Sequence, residues 1–476
     1  MKFIYRLFCS LYAVQQWATR RFTTIGWGVL VLIALSALVG LDTKQTRAAQ
    51  IFMLLLAMAI VAIIYSLRFR YRFSAERILP RFATVGSKLQ YPIFIYNRTN
   101  KKQSGLKLLE NFADPRPNYA QFKQMLRLER KKHRFISLSL LYYQWLKAIA
   151  RQRKATAKTV DIPTMLPDGK TKVTVELEPC HRGSMRLTGV TVARPDPFGI
   201  FNAFKTVSLA QSLLILPKRY QLPPLRLSGG RSAQSGDVAL TSSVGDSEEF
   251  VSLRDYRPGD PLRKIHWRSW AKTDKPVIKE EQNEYFVRHA LILDTFLTKK
   301  SVSVGKNSSP VFDSNSKRRE NLQPPSLHQE NKILEEAISV AASFACDFQT
   351  QESLLDLMFV GQEAYCFTAG RGLGNAEKML EILAGVSACG DRQFDRLTQT
   401  VLSRVSLLSG CICILLAWDE ARKNLVNHLQ TLNVPLLVLI IAEEEDTTEK
   451  YYGDNIHCLR VGKIQEDLTI KLASVI

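Results

Sequence analysis

Residues 245–272, GDSEEFVSLRDYRPGDPLRKIHWRSWAK, are the stretch on which the reading of the fold turns. Pro258 and Gly259 suit the two central positions of a type II turn, because proline sets φ and glycine accepts the positive φ that follows. Asp260 then reads as a helix N-cap, with Pro261 at the first helical position. Glu248, Glu249, Arg254, Asp255, Arg257, Arg263, Lys264 and Arg268 surround the turn together with His266, Trp267 and Trp270. Such a stretch is too aromatic for a solvated tail and too charged for a plain core, so it reads as a junction between domains.

Downstream of the junction, strand-like and helical runs alternate. HALILD (289–294), LLDLMFV, AYCFTA, CICILLAWD and PLLVLIIAEE are apolar runs of strand length, and KILEEAISVAASFACDF and NAEKMLEILAGV have helical periodicity. This alternation predicts a parallel sheet covered on both faces, over residues 285–476. Upstream the period is two: Leu89, Tyr91, Ile93 and Ile95 alternate, as do Val173, Val175 and Leu177, then Met185 with Leu187 and Val190 with Val192. The pattern predicts a small antiparallel β-sandwich over 73–227. A polar lead rich in Gly and Ser joins it to the junction, taken as 228–284.

Two apolar spans, 25–41 and 48–67, are separated by DTKQTR and approach the length a helix needs to cross a bilayer. Arg20 and Arg21 precede the pair, and Arg68, Arg70 and Arg72 follow it. The region 23–72 therefore predicts a transmembrane hairpin with both ends in the cytoplasm. Residues 1–22 precede it as a short interfacial segment.

The net charge is +21. Between Arg116 and Lys158 twelve cations face one acid, Glu129, so about half of the excess is a single local feature, an insertion taken as 116–160. With Tyr142, Tyr143 and Trp145 in its apolar half, it offers two readings. One is an amphipathic helix on an anionic leaflet, with Arg130, Lys131, Lys132 and Arg151 toward the headgroups. The other is a helix packed on the sandwich with a solvated basic face. No nucleic-acid-binding signature accompanies it, so nucleic acid is not expected as a partner. Eight cysteines show no Cys-x-x-Cys pair, and Cys411 and Cys413 read as packed thiols of a buried strand.

The junction resembles the signature of the bacterial domain of unknown function 58 family: Glu249-Phe250, Leu253-Arg254, Tyr256, Pro258-Gly259-Asp260 and Ile265-His266-Trp267-Arg268. Arg182-Gly183 and Asp196-Pro197-Phe198-Gly199-Ile200-Phe201 are similar to that family as well. The resemblance implies a von Willebrand A-like α/β domain after the signature. It also implies a MoxR-type AAA+ ATPase as partner, with a transglutaminase-like membrane protein as a further associate. The family has no established activity.

In a von Willebrand A metal site the first strand ends Asp-x-Ser-x-Ser, and later loops add Thr and Asp. Here Asp294 and Thr298 stand in the first run, with Thr368 and Asp419 as later candidates, but Phe296 offers no oxygen to a hard cation. The site reads as degenerate and no cofactor is expected. Gly370-Arg371-Gly372-Leu373-Gly374 lacks the third glycine of a dinucleotide fingerprint and reads as a turn capped by Asn375. The polar run 299–329 reads as a long loop at the rim of the sheet.

Two functions remain open on these residues. One is an inner-membrane scaffold or adaptor, for which Glu249, Arg254, Tyr256, Arg257, Gly259, Asp260, His266, Trp267 and Arg268 form a docking surface or a structural clamp. The other is a hydrolase using Glu249, Asp260 and His266.

Overall fold

A computed structural model describes residues 2–40, 46–67, 72–132, 137–223, 248–260, 262, 265–273, 275–283, 288–296, 327–347, 354–361, 363–370, 373–389, 394–443 and 455–473. The chain is mixed α/β with several sheets and divides into two compact units, Met1–Lys218 and Arg219–Ile476. The expected lead at 228–246, the rim loop up to Ser326 and the cations Lys44, Arg68 and Arg70 lie outside the described residues.

The first unit opens with three helices, α1 (Lys2–Arg21), α2 (Thr24–Gly40) and α3 (Thr46–Leu67). Within α3, Arg47–Ser66 is long and apolar enough to cross a membrane, while the apolar run Thr24–Val39 of α2 is shorter. Strands β1 (Phe73–Arg77), β2 (Phe82–Thr84), β3 (Leu89–Asn97) and β4 (Leu106–Phe112) follow. Helices α4 (Tyr119–Lys132) and α5 (Leu138–Gln152) interrupt the strands, which resume as β5 (Ala155–Ala157), β6 (Val160–Ile162), β7 (Lys170–Pro179), β8 (Gly183–Pro195) and β9 (Asn202–Leu216).

Two sheets result, β1-β3-β7-β5 and β2-β9-β8-β4-β6. They share one core: Tyr91, Ile93, Val173, Val175 and Leu177 from the first meet Leu106, Leu108, Met185, Leu187, Val190 and Val192 from the second. The step of three between Leu187 and Val190 has a structural cause, a register shift between Leu187 and Gly189 against β9. Gly189 is obligatory there, since a Cβ would stand 2.3 Å from the Val207 carbonyl oxygen.

A buried polar pin joins the two sheets. Arg77, on β1, donates to both carboxylate oxygens of Glu110 on β4 (3.1 and 2.8 Å) and to the carbonyls of Gly189 (3.2 Å) and Leu209 (3.1 Å). The Tyr91 hydroxyl donates to the same carboxylate at 2.8 Å. Burial pushes Glu110 up from the ordinary carboxylate range, and Arg77 and Tyr91 oppose it. Such a pair is tolerated inside a core because nearly every donor is matched.

The basic insertion differs from both sequence readings. Its apolar face, Leu141, Trp145 and Ile149 of α5 with Phe122 and Leu126 of α4, is buried against Phe8 of α1. Edge-to-face contacts of Phe8 with Phe122 and Tyr142, and of Tyr12 with Trp145, complete the cluster. The face that would have entered a leaflet is thus occupied by α1, and the helices rest on α1 rather than on the sandwich. Residues 155–160, counted in the insertion from the sequence, supply β5 and the start of β6 to the sheets.

The turn at 196–201 forms a foot under α2 and α3. Asp196 accepts from the amides of Phe198 (3.1 Å) and Phe201 (2.7 Å). Ile200 and Phe201 then pack with Ala62, Met58 and Val29. The Thr23 amide donates to the Ile200 carbonyl at 3.2 Å, and the Thr23 hydroxyl donates to Gly199. A Cβ on Gly26 would lie 2.2 Å from the Ile200 oxygen, so glycine is what allows this approach.

The second unit begins with β10 (Glu248–Asp255), α6 (Trp267–Thr273) and β11 (Val277–Asn283), with β10 and β11 paired antiparallel. It continues through β12 (Arg288–Leu293), α7 (Leu327–Asp347), β13 (Leu354–Val360), β14 (Ala364–Ala369), α8 (Leu373–Gly385), α9 (Asp395–Leu402), β15 (Gly410–Leu415), α10 (Glu420–Thr431), β16 (Leu436–Ala442), β17 (Ile456–Arg460) and α11 (Ile464–Ala473). The sheet order is β14-β13-β12-β15-β16-β17, parallel except at the antiparallel edge strand β14.

β12, β15 and β16, buried on both faces, read as apolar runs. Cys411 and Cys413 face α9 and α10 in the core. Burial raises the Cys411 thiol to about 12 and Cys413 well above the ordinary range, which makes both inert.

Candidate functional site

The junction folds as a small platform. Arg257, Pro258, Gly259 and Asp260 make the expected type II turn: the Asp260 amide donates to the Arg257 carbonyl at 3.0 Å and Gly259 has φ of 109°. Pro261, Arg263 and Lys264, on which the expected cap of a helix by Asp260 depends, lie outside the described residues. The Asp260 carboxylate accepts the Arg257 amide (2.9 Å) and two parallel bonds from the Arg254 guanidinium, both 2.8 Å. These bonds, Arg254's first and the Arg257 amide's second, hold Asp260 down at about 2.

Helix α6 begins at Trp267, and His266 occupies its cap. The His266 carbonyl accepts from the amides of Ser269 and Trp270, and His266 Nδ1 lies 2.7 Å from the Ser269 hydroxyl. Buried Ile265, Val277 and Ile278 anchor the platform, with Ile265 bridged to Ile278 and the Tyr256 amide bonded to the Pro276 carbonyl.

What the platform presents outward is aromatic and basic. Trp267 is 64% exposed and stacks on Trp270 with centroids 5.3 Å apart and planes 19° from parallel. Leu262 is 66% exposed, and Arg257 and Arg268 are exposed as well. Glu249 pairs with Gln282 across the β10–β11 ladder, and its side chain lies outside the described residues. Of the three residues of the hydrolase reading, Asp260 is thus held by Arg254 and His266 engages its own helix.

The second candidate site, at the carboxyl ends of the parallel strands, is organised by a residue the sequence reading missed. Arg422, in the first turn of α10, reaches Asp294 at the end of β12 with an Nε to Oδ2 distance of 2.6 Å. It also pairs with Asp419, the N-cap of its own helix, and donates to the Phe296 carbonyl at 2.7 Å. Its guanidinium stacks over the Phe394 ring at 4.9 Å. Asp294 is fully buried and further accepts the amides of Leu416 (3.0 Å) and Phe296 (2.9 Å). Burial raises this carboxyl, and Arg422 opposes the rise.

Thr368 corrects the proposed ligand set. It sits opposite Asp356, which is level with Ala290, and Asp294 lies four residues further along. At about 3.3 Å per residue that places it roughly 13 Å along the strand direction from Asp294 and two strands across, at the other end of the sheet. There Thr368 accepts from Arg288, which is clamped on Asp356. Thr298 lies outside the described residues. With Phe296 supplying no side-chain oxygen and both carboxylates engaged by Arg422, the residues present do not fit a divalent metal.

At 370–375 the Asn375 side chain donates to the Gly370 carbonyl (3.3 Å), a turn closure. Arg130, Lys131 and Lys132 end α4, where cations suit the helix C-terminus, and their side chains are outside the described residues. Arg151 is exposed at the end of α5.

No family model matches the chain, and no curated protein matches it. Among solved structures, the CARDB domain of the PF1109 protein from Pyrococcus furiosus is 11% identical over 31% of this chain and 90% of its own, at a TM-score of 0.16. AvmM, described as catalysing macrocyclization in alchivemycin A biosynthesis, is 10% identical over 30% of this chain and 88% of its own, at 0.18. WR4, a C. elegans MSP family member, is 7% identical over 31% of this chain and 99% of its own, at 0.14. Scores this low carry no functional argument, so function rests on the geometry.

Proposed function

We propose that this chain is a membrane-anchored, cytoplasm-facing scaffold or adaptor of the domain of unknown function 58 type, which docks a MoxR-type AAA+ ATPase through its junction. In this reading α2 and α3 form a two-pass hairpin in the inner membrane, and the six-stranded sheet is von Willebrand A-like with Arg422 standing where a metal would. A transglutaminase-like membrane protein is a further associate by the same resemblance.

The observation that carries the proposal is the exposed Trp267–Trp270 stack, together with exposed Leu262, Arg257 and Arg268 on a platform pinned by the Arg254–Asp260 pair. Stacked tryptophans with arginines are the composition of binding hot spots, and leaving them in water has no structural benefit. The outward side chains of α2 and α3, among them Val31, Leu35, Leu54 and Ile63, are apolar, as a lipid environment requires.

The test is capture. Tagged full-length chain, solubilised from native membranes, is expected to bring down a MoxR-type ATPase. Full recovery of the chain with no ATPase, in the presence and absence of ATP, overturns the reading.

A further inference from the structure

Beyond docking, the first unit contains a cleft of about 450 Å³ that the proposed function does not use. One wall is α1, whose Tyr12, Gln16 and Arg20 recur every fourth residue on a single helix face. The opposite wall is the exit of α5 into β5, carrying Arg153 and Lys154, and the start of β8 supplies Ser184 and Arg186.

Four cations therefore line one concavity. The two acids that also line it, Glu110 and Asp114, do not neutralise its three arginines. Glu110 is enclosed by Arg77 and Tyr91, and Asp114 is bound by Arg116. Lys154 donates to the Arg182 carbonyl (2.8 Å). Arg20, Arg153 and Arg186 make no ion pair among the described residues. Like charges gathered at a concave wall focus the field and are stabilised by an anion placed among them. Guanidinium forks match phosphate oxygens, with Gln16 and Ser184 as neutral donors alongside.

We infer that this cleft binds a phosphate-bearing ligand through Arg20, Arg153 and Arg186. A volume of about 450 Å³ exceeds a bare phosphate ion and falls in the range of small-molecule sites. The phosphate belongs either to a lipid headgroup or to a soluble phosphorylated molecule. Arg20 lies four residues before the start of α2, which gives a headgroup access from that end.

The experiment uses full-length protein in nanodiscs and compares wild type with Arg153→Gln/Arg186→Gln and with Lys172→Gln, an exposed cation on β7. All three substituted positions are exposed, so folding is preserved. Inorganic phosphate is titrated against chloride at constant ionic strength in phosphatidylcholine discs, and the discs are separately enriched in phosphatidylglycerol. The melting temperature is read in both arms.

Wild type and Lys172→Gln are expected to be stabilised in at least one arm, and the double variant to need about tenfold more ligand or more, the loss typical of charge-assisted hydrogen bonds. Stabilisation by phosphatidylglycerol alone assigns the lipid headgroup; stabilisation by free phosphate assigns a soluble ligand. Absence of stabilisation in both arms, or equal stabilisation of the double variant, overturns the inference.

Discussion

Replacing Arg422 by alanine removes the only cation in contact with Asp294 among the described residues and leaves a fully buried carboxylate with the amides of Phe296 and Leu416 as its remaining donors. Breaking one side of a buried pair costs about 3–5 kcal/mol, because the remaining charge keeps its desolvation penalty and loses its partner. In a domain of roughly 250 residues, 1 kcal/mol moves the melting temperature by about 2–4 °C, so the expected drop is about 6–20 °C. Replacing both partners, Asp294→Leu with Arg422→Met, removes the orphaned charge and is expected to recover part of that loss, since the amides of Leu416 and Phe296 then lose their acceptor.

Cys411 and Cys413 supply the assay. Both are fully buried in this sheet, so maleimide labelling of their peptides during a thermal ramp, mapped by mass spectrometry, reports unfolding of the second unit in the intact protein. The single variant also leaves two carboxylates and a carbonyl converging without their cation, and Mg²⁺ is expected to raise its labelling temperature while leaving wild type unchanged. A single variant no less stable than the double, or a Mg²⁺ response in wild type, refutes the reasoning.

Gly26→Ala is expected to destabilise the first unit by about 1–3 kcal/mol, since its Cβ would meet backbone at 2.2 Å, whereas Gly28→Ala, with open space around it, has no such effect in a detergent melt. Arg77→Met strands Glu110 in the sandwich core and is expected to cost about 3–5 kcal/mol by the same melt. His289 is buried and its pKa is lowered by desolvation, so the fold favours the neutral ring. Its contribution is present above the ordinary value of 6.5 and falls as pH drops below it, so labelling of Cys411 should begin at lower temperature at pH 5 than at pH 7, with a smaller difference in His289→Leu.

Much of the fold was legible because burial leaves periodic traces. Ile93 and Ile95 announce a strand with one dry face, and CICIL announces a strand dry on both. Even the bulge in β8 left a mark, in the step of three from Leu187 to Val190. The insertion was harder: Leu141, Trp145 and Ile149 define an apolar stripe, but nothing local says that Phe8, more than a hundred residues away, covers it.

The polar centres were least legible. Asp260 before proline reads as a cap, but nothing in that local pattern announces that Arg254, six residues earlier, takes both its oxygens in charge-assisted bonds. Arg422 reads as an ordinary first-turn residue of α10, since its reach to Asp294 exists only once β12 and α10 are brought together. Thr368 was misplaced because β14 runs antiparallel, which carries its end away from the carboxyl edge. Conversely, the turn at Pro258-Gly259 was fully readable, as its φ requirement is local.

The docking claim is tested most directly by pairing capture with stability. Trp267→Ser/Arg268→Glu alters only exposed side chains, so its melting temperature should stay within about 2 °C of wild type. Recovery of the MoxR-type ATPase from native membranes is expected to fall at least tenfold, as loss of an aromatic hot spot implies. Undiminished recovery by this normally folded variant would contradict the assignment of the junction as the docking surface.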